Sequence, residues 1–360
     1  MIETQNLLKG SEEIEQCLSY VTLVIYKRHQ FTRLSKMNYK TIKISLSALF
    51  LIFFQLSTYA QLADKIELTQ DNQLLGLGTQ YILESEILQE DRPIIISLPI
   101  GYENNKDTYP VLYLLDGLGN IKHQVGTVEL LTESGIVPPM IIVAIESIDR
   151  AKDLTPSNAG ADAYAGANTD IPQSGGASNF LQFLERELIP YVESNFRTHP
   201  YRLLEGHSFG GLFSTYALMN KPELFDAFII QAPALWWNKE EMTGQAKEFF
   251  KSNVSLDKSV YFGTGGAEGW GMRQELLRYV DVIKQNPPKN FRWKHEEIPG
   301  DEAHDDSRLL LNYYGLKFVF SDLKASEDLQ KNYSDEAFLK GEQQLIDKYG
   351  QNARRPASDY

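Results

Sequence analysis

Five short apolar runs recur along the middle of the chain: Val111–Leu115, Met140–Ile145, Leu203–Glu205, Phe228–Ile230 and Val260–Phe262. None alternates with polar residues, so a strand built from any of them has no wet face. Such strands are stable only when both faces are covered, which in practice means a parallel sheet between two helix layers. The segments between them carry helical spacing. In Asn179–Phe196, Phe180, Phe183, Leu184, Leu188 and Val192 recur every three or four positions, with Pro190 expected to kink the helix. Leu212–Met219, Glu275–Ile283 and Leu309–Phe320 also read as helices, and Phe291–Ile298 as a strand. Ahead of them, Tyr81–Leu88 and Pro93–Pro99 read as antiparallel leading strands. The expectation is an α/β protein with a mostly parallel central sheet, antiparallel leading strands and helices on both faces. At 360 residues and 42% hydrophobic, the chain can bury the core this requires.

The two ends differ from this middle. In Met37–Ala60, Lys40 and Lys43 precede an apolar run, Ile44–Leu56, and Thr58 and Ala60 stand where a small-residue cleavage site would be. The run is shorter than the about 20 residues a bilayer span needs. A signal peptide over 37–60 is therefore expected, with a secreted or periplasmic product that keeps no membrane span. Translation is expected to start at Met37, which makes residues 1–36 an over-extended N-terminus. The main α/β domain is expected over 61–323, followed by a polar helical tail over 324–360 whose last ten residues look frayed. The net charge of −13 argues against nucleic acid as a partner. The single cysteine, Cys17, allows neither an internal disulfide nor a zinc site of thiolate spacing. Ile148–Ser178 is a long loop rich in Gly, Ala, Asn and Asp, the kind that usually carries function.

The sharpest chemical signal is Gly206-His207-Ser208-Phe209-Gly210, which fits G-x-S-x-G. Chance alone yields such a match about 0.1 times in a chain of this length. Here it also falls between a strand pattern and a helix pattern, where a strained turn exposes a serine Oγ and leaves the N–H of Phe209 for an oxyanion. A serine needs a base. Of the six histidines, His29 lies in the expected leader region, His123 and His199 precede the serine, His207 adjoins it, and His295 lies in a strand. His304, in a polar loop between the last strand and the last helix, is the expected base. Glu268, after the strand Val260–Phe262, is the expected acid; Asp301, Asp305 and Asp306 are rivals too near His304 in sequence to face its Nδ1 easily. The second oxyanion donor is expected from Leu118 or Gly117, after the strand that ends in Leu115, with Asp116 bonding nearby amides to hold the turn. Trp236 and Trp237 either wall a substrate pocket or divide between core and surface. Arg150 either binds substrate or pairs with Asp153.

These residues together resemble the esterase family that includes esterase D, the siderophore (enterobactin-type) esterases and the feruloyl and acetylxylan esterases. The likeness runs over roughly Leu74–Leu323. It rests on Leu112-Tyr113-Leu114-Leu115-Asp116-Gly117, on Arg150, Asp153, Thr155 and Pro156, on Glu187-Leu188-Ile189-Pro190, on Gly206–Gly211, on Ala234–Trp237 and on His304. The Arg150–Pro156 segment looks more like the siderophore-esterase branch. The resemblance implies the α/β-hydrolase fold and a catalytic group of Ser208, Glu268 and His304. It implies cleavage of a small-molecule ester through an acyl-enzyme, with no metal or organic cofactor. An acyltransferase, a polysaccharide acetyl or feruloyl esterase and a silent binding protein are the other readings. The tail resembles the start of a C-terminal extension of some relatives, cut short.

Overall fold

The computed structural model describes residues 66–74, 76–159, 173–269 and 271–355. The expected signal peptide, the residues before it and His29 lie outside the described residues, as do 160–172 of the long loop.

Among the described residues, nine strands form one sheet: β1 (Ile66–Leu74), β2 (Gly78–Ser85), β3 (Glu90–Ser97), β4 (Tyr109–Leu114), β5 (Ile141–Ile145), β6 (Thr198–His207), β7 (Ala227–Gln231), β8 (Ser255–Gly265) and β9 (Lys289–Ile298). Their order is β1-β2-β3-β5-β4-β6-β7-β8-β9. The first three strands meet antiparallel, and β3 is antiparallel to β5; every later pairing is parallel. The order reverses between β5 and β6, around β4. In open α/β sheets that reversal, at the carboxyl ends of the strands, is where ligands bind.

Among the described residues, ten α-helices accompany the sheet in chain order: α1 (Gly117–Glu133), α2 (Arg150–Leu154), α3 (Ala177–Phe183), α4 (Ile189–Asn195), α5 (Phe209–Asn220), α6 (Trp237–Ser252), α7 (Arg273–Gln285), α8 (Arg308–Val319), α9 (Glu327–Lys331) and α10 (Asp335–Tyr349). The runs read as doubly covered strands are that. Along β4, Val111 and Tyr113 enter one core, shared with Phe213, Leu276 and Tyr279, while Leu112 and Leu114 enter the other, shared with Val125, Leu311 and Leu316. Helices α3 to α7 thus cover one face, and α1, α8 and α10 the other.

The structure departs from the pattern at Pro190. Instead of a kink, a π-turn over Leu184–Leu188 joins α3 to α4, with Pro190 in the first turn of α4. A proline has no N–H to donate to the preceding turn, and the widened turn accommodates that gap without breaking the helix. Helices α1 and α6 were not legible in the sequence. The C-terminal segment packs onto the sheet domain. The Tyr349 ring lies 4.7 Å from Tyr201 and 5.0 Å from Phe320, and its hydroxyl donates to Asp322 at 2.8 Å. Gln351, expected to be frayed, accepts from the Thr108 hydroxyl at 2.9 Å, and Ala353 is fully buried.

Candidate active site

Strand β6 runs into α5 through Ser208, whose backbone is held at φ 60° and ψ −114°. A non-glycine residue there is strained, and the surrounding backbone maintains it. The Ser208 N–H donates to the Gln231 carbonyl at 3.0 Å, and the Ser208 carbonyl accepts from Leu212 at 2.9 Å and Ala234 at 3.0 Å. The glycines around it are not equivalent. A Cβ on Gly206 would sit 2.3 Å from the Gly210 carbonyl oxygen, and one on Gly211 2.8 Å from the Gln231 carbonyl oxygen. A Cβ on Gly210 would meet nothing nearer than 3.4 Å. The turn therefore demands glycine at 206 and 211, and the second glycine of the motif is the more replaceable one. Phe209, first residue of α5, has no acceptor for its N–H within the helix.

The structure brings Glu268 and His304 together. The His304 Nδ1 lies 2.5 Å from Oε1 of Glu268, whose side chain is fully shielded while His304 is about one third exposed. The two loops are joined by backbone as well, Ala267 N–H donating to the Glu302 carbonyl at 3.0 Å. Of the rival carboxylates, Asp306 accepts from the Ala303 N–H at 2.6 Å, Asp305 is exposed toward Arg308, and Asp301 is exposed. The His304 ring packs against the ring of His207, centroids 4.4 Å apart, and so stands at the Ser208 turn. Burial, and then the neighbouring His304, push the His207 imidazole down to about 3. His207 thus stays neutral near neutral pH and adds no second positive charge beside His304.

Across from the elbow, β4 runs into α1 through Asp116, also left-handed at φ 54° and ψ 52°. Its carboxylate was expected to bond nearby amides, and the structure corrects that. It takes a two-pronged ion pair from Arg150, Nε at 2.8 Å and Nη2 at 2.9 Å, and a bond from the Ser147 hydroxyl at 2.8 Å. Arg150 Nη2 also donates to the His207 carbonyl at 3.0 Å, and its guanidinium lies 5.3 Å from the centre of the Phe209 ring. Arg150 therefore ties the two turns together. Its expected partner Asp153 is buried against Arg92 at 2.8 Å instead. The Leu118 N–H, expected to be free for an oxyanion, donates to Oε2 of Glu146 at 2.8 Å. That corrects the reading of Leu118 as an open donor, because β5 places a carboxylate at the tip of α1. Gly117, buried at the first position of α1, is the other expected donor.

Trp237 is also corrected. It is fully buried, with its indole N–H donating to the Ser157 carbonyl at 3.1 Å, and cannot wall an open pocket. Trp236 is partly buried, its ring 5.8 Å from that of Phe209.

Beneath the elbow lies a residue that sequence reading missed. Glu205 is buried in β6, accepting from Gln231 Nε2 at 2.6 Å and Gln124 Nε2 at 3.0 Å. Burial pushes its carboxyl up to about 8, against the opposing pull of the two amides. Glu146 was missed as well. The available signal was position: Asp116 and Glu146 are each the first charged residue after a doubly buried strand, at the carboxyl edge where ligands bind.

A mostly parallel sheet, a strained serine at a strand-to-helix turn and a late histidine bonded to a buried carboxylate together define an α/β-hydrolase. Residues 85–313 match the family described as Putative esterase, and the chain belongs to that family. It is an ester-hydrolysing enzyme. It is 31% identical to the siderophore triacetylfusarinine C esterase of Aspergillus fumigatus, across 63% of this chain and 78% of that protein. It is 30% identical to the ferri-bacillibactin esterase BesA of Bacillus subtilis, across 42% of this chain and 55% of that protein. Among solved structures, an IroE-like serine hydrolase from Shewanella oneidensis superposes with a TM-score of 0.66 at 26% identity, covering 78% of this chain and 89% of that one. Among the described residues, no helix is long and apolar enough to cross a membrane.

Proposed function

We propose that the chain is a secreted or periplasmic serine esterase acting on siderophore-type esters, with Ser208 as nucleophile, His304 as base and Glu268 as the acid that orients it. The observation that carries this reading is the short bond between Glu268 and His304 Nδ1, with His304 against the Ser208 turn. A carboxylate on Nδ1 fixes the tautomer that leaves Nε2 to accept the Ser208 proton, and it stabilises the imidazolium that forms. Ser208 Oγ then attacks the ester carbonyl, and the N–H of Phe209 faces the developing oxyanion with a second donor from Gly117 or Leu118. His304 returns the proton to the leaving alcohol, and water releases the acid. The printed activities of the two curated relatives support the substrate class. Arg150, with Nε and Nη2 committed to Asp116 and His207, and Trp236 beside Phe209 are the proposed substrate-facing residues. The leader pattern over 37–60 supports export, and the acidic surface supports a small-molecule partner over nucleic acid.

The test is hydrolysis of enterobactin, triacetylfusarinine C and a p-nitrophenyl acetate reference by the purified protein and by Ser208→Ala, followed by product chromatography. Siderophore cleavage at far higher kcat/KM than the reference, lost in Ser208→Ala, supports the reading. Cleavage of p-nitrophenyl acetate alone, with feruloyl or acetylated sugars preferred in a second panel, would replace the substrate class. N-terminal sequencing of exported protein, expected to begin at Gln61, tests the leader.

A further inference from the structure

Strands β4 and β5 pair parallel, with Leu114 opposite Ala144. Two residues beyond that register, Asp116 and Glu146 leave the sheet side by side at the edge that holds Ser208. Helix α1 starts there, and its first N–H groups have no acceptor within the helix, so the tip attracts an anion. An oxyanion hole uses that property. In this chain an anion is already in place: Glu146 Oε2 accepts from the Leu118 N–H at 2.8 Å.

Among the described residues, no other hydrogen bond or ion pair to that carboxylate is formed. Arg92 attracts it only through space, being committed to Asp153 and Glu90 and donating to the main-chain carbonyl of Glu146. Arg150 is committed to Asp116, and the Asp116 carboxylate repels Glu146. Glu146 is only half-buried, so a side-chain rotation returns its carboxylate to water at the loss of a single hydrogen bond. A carboxylate on an oxyanion donor resembles a bound acid product, and it opposes negative charge developing on the substrate oxygen.

We propose that Glu146 is a built-in competitor for the oxyanion site: the resting enzyme caps its own Leu118 N–H, and an incoming ester must displace the carboxylate before the tetrahedral state can use that donor. This rests on the serine-esterase reading above, with Leu118 as the second donor. It makes Glu146 a specificity-determining residue, because substrates that bring a donor or a cation for the displaced carboxylate open the site more easily than anionic ones.

The test compares wild type with Glu146→Gln and Glu146→Ala using phenylboronic acid and a fluorophosphonate at neutral pH. Boron accepts the Ser208 Oγ lone pair while the serine proton passes to His304, so the adduct carries its charge on the tetrahedral boronate. Phosphonylation forms the Oγ–P bond as fluoride leaves and the Ser208 proton passes to His304. Glu146→Ala should bind phenylboronic acid about 10-fold more tightly and label several-fold faster, and Glu146→Gln, which keeps an acceptor oxygen but not the charge, should shift both in the same direction by less, with melting temperatures close to wild type. A merely structural role would weaken both readouts. Unchanged or weaker boronate binding in both variants, while phosphonate still labels Ser208, would overturn the gate and leave the esterase standing. Failure of wild type to label at all would overturn the serine reading and the gate with it.

Discussion

Two turns face one another across the site, and both force a non-glycine residue into the left-handed region: Ser208 at φ 60° and Asp116 at φ 54°. They are held by different means. The Ser208 turn is clamped by backbone, through three main-chain hydrogen bonds and glycines pressed onto carbonyl oxygens. The Asp116 turn has one main-chain bond of its own, Gly119 N–H to the Asp116 carbonyl at 3.1 Å, and its carboxylate is held by side chains that arrive from more than 30 residues away, Ser147 and Arg150. A backbone clamp is rigid and intolerant of substitution. A side-chain clamp can be opened, retuned or lost without unfolding the domain. The nucleophile thus sits on the fixed half of the site, and adjustment belongs to the other half.

The largest effect that can break this comparison is Gly206→Ala. Its Cβ has no room beside the Gly210 carbonyl, so a loss of about 3 kcal/mol or more in stability is expected, read from urea unfolding. A normally stable variant would show that the turn is not backbone-clamped. Next comes Glu205→Gln, beneath the same turn. The Glu205 carboxyl is raised from 4.5 to about 8 in the fold, so the native state holds a proton that the unfolded state releases. Stability from this group is fully present below the unfolded value and drains away as pH rises toward the folded one, by roughly 2 kcal/mol between about pH 6 and pH 8. The glutamine variant should lose that dependence in paired melts at the two pH values, and an unchanged slope would show that Glu205 is ionised throughout. On the opposite turn, Arg150→Ala should keep its fold and lose about 10-fold in kcat/KM, with Arg150→Lys unable to restore it because a lysine cannot form the two-pronged bond to Asp116. A collapse of the fold in circular dichroism would erase the contrast between the turns. The smallest effect sharpens the first: Gly210→Ala, whose Cβ meets only ordinary contacts, should cost under about 1 kcal/mol in the same urea assay.

How much was legible follows the same division. Signals carried by contiguous residues were readable: the doubly buried strands, the G-x-S-x-G turn, and the late histidine in its loop. Glu268, the one acid between β8 and α7 in the sequence, was readable from its position after that strand, and the structure sets it 2.5 Å from His304 Nδ1. What was not legible depends on residues brought together by topology. Nothing local to Leu118 says that Glu146, just past the end of the neighbouring strand, will take its N–H. Nothing local to Arg150 says that Asp116 rather than Asp153 is its partner, since Asp153 is drawn away by the buried Arg92. Adjacent tryptophans cannot be sorted by spacing; both rings lie against Phe209, but the start of α6 fully buries Trp237 and leaves Trp236 only partly buried. Pro190 contradicted periodicity until the π-turn supplied a way to keep the helix.

The most direct test of the central claim is fluorophosphonate labelling followed by peptide mass spectrometry, run on wild type, Ser208→Ala and Glu268→Gln. The account predicts one adduct on the peptide holding Ser208, none in Ser208→Ala, and labelling roughly 10²–10⁴-fold slower in Glu268→Gln because the imidazole loses its orienting carboxylate. An adduct on another serine, or a Glu268→Gln protein that labels at the wild-type rate, would contradict it.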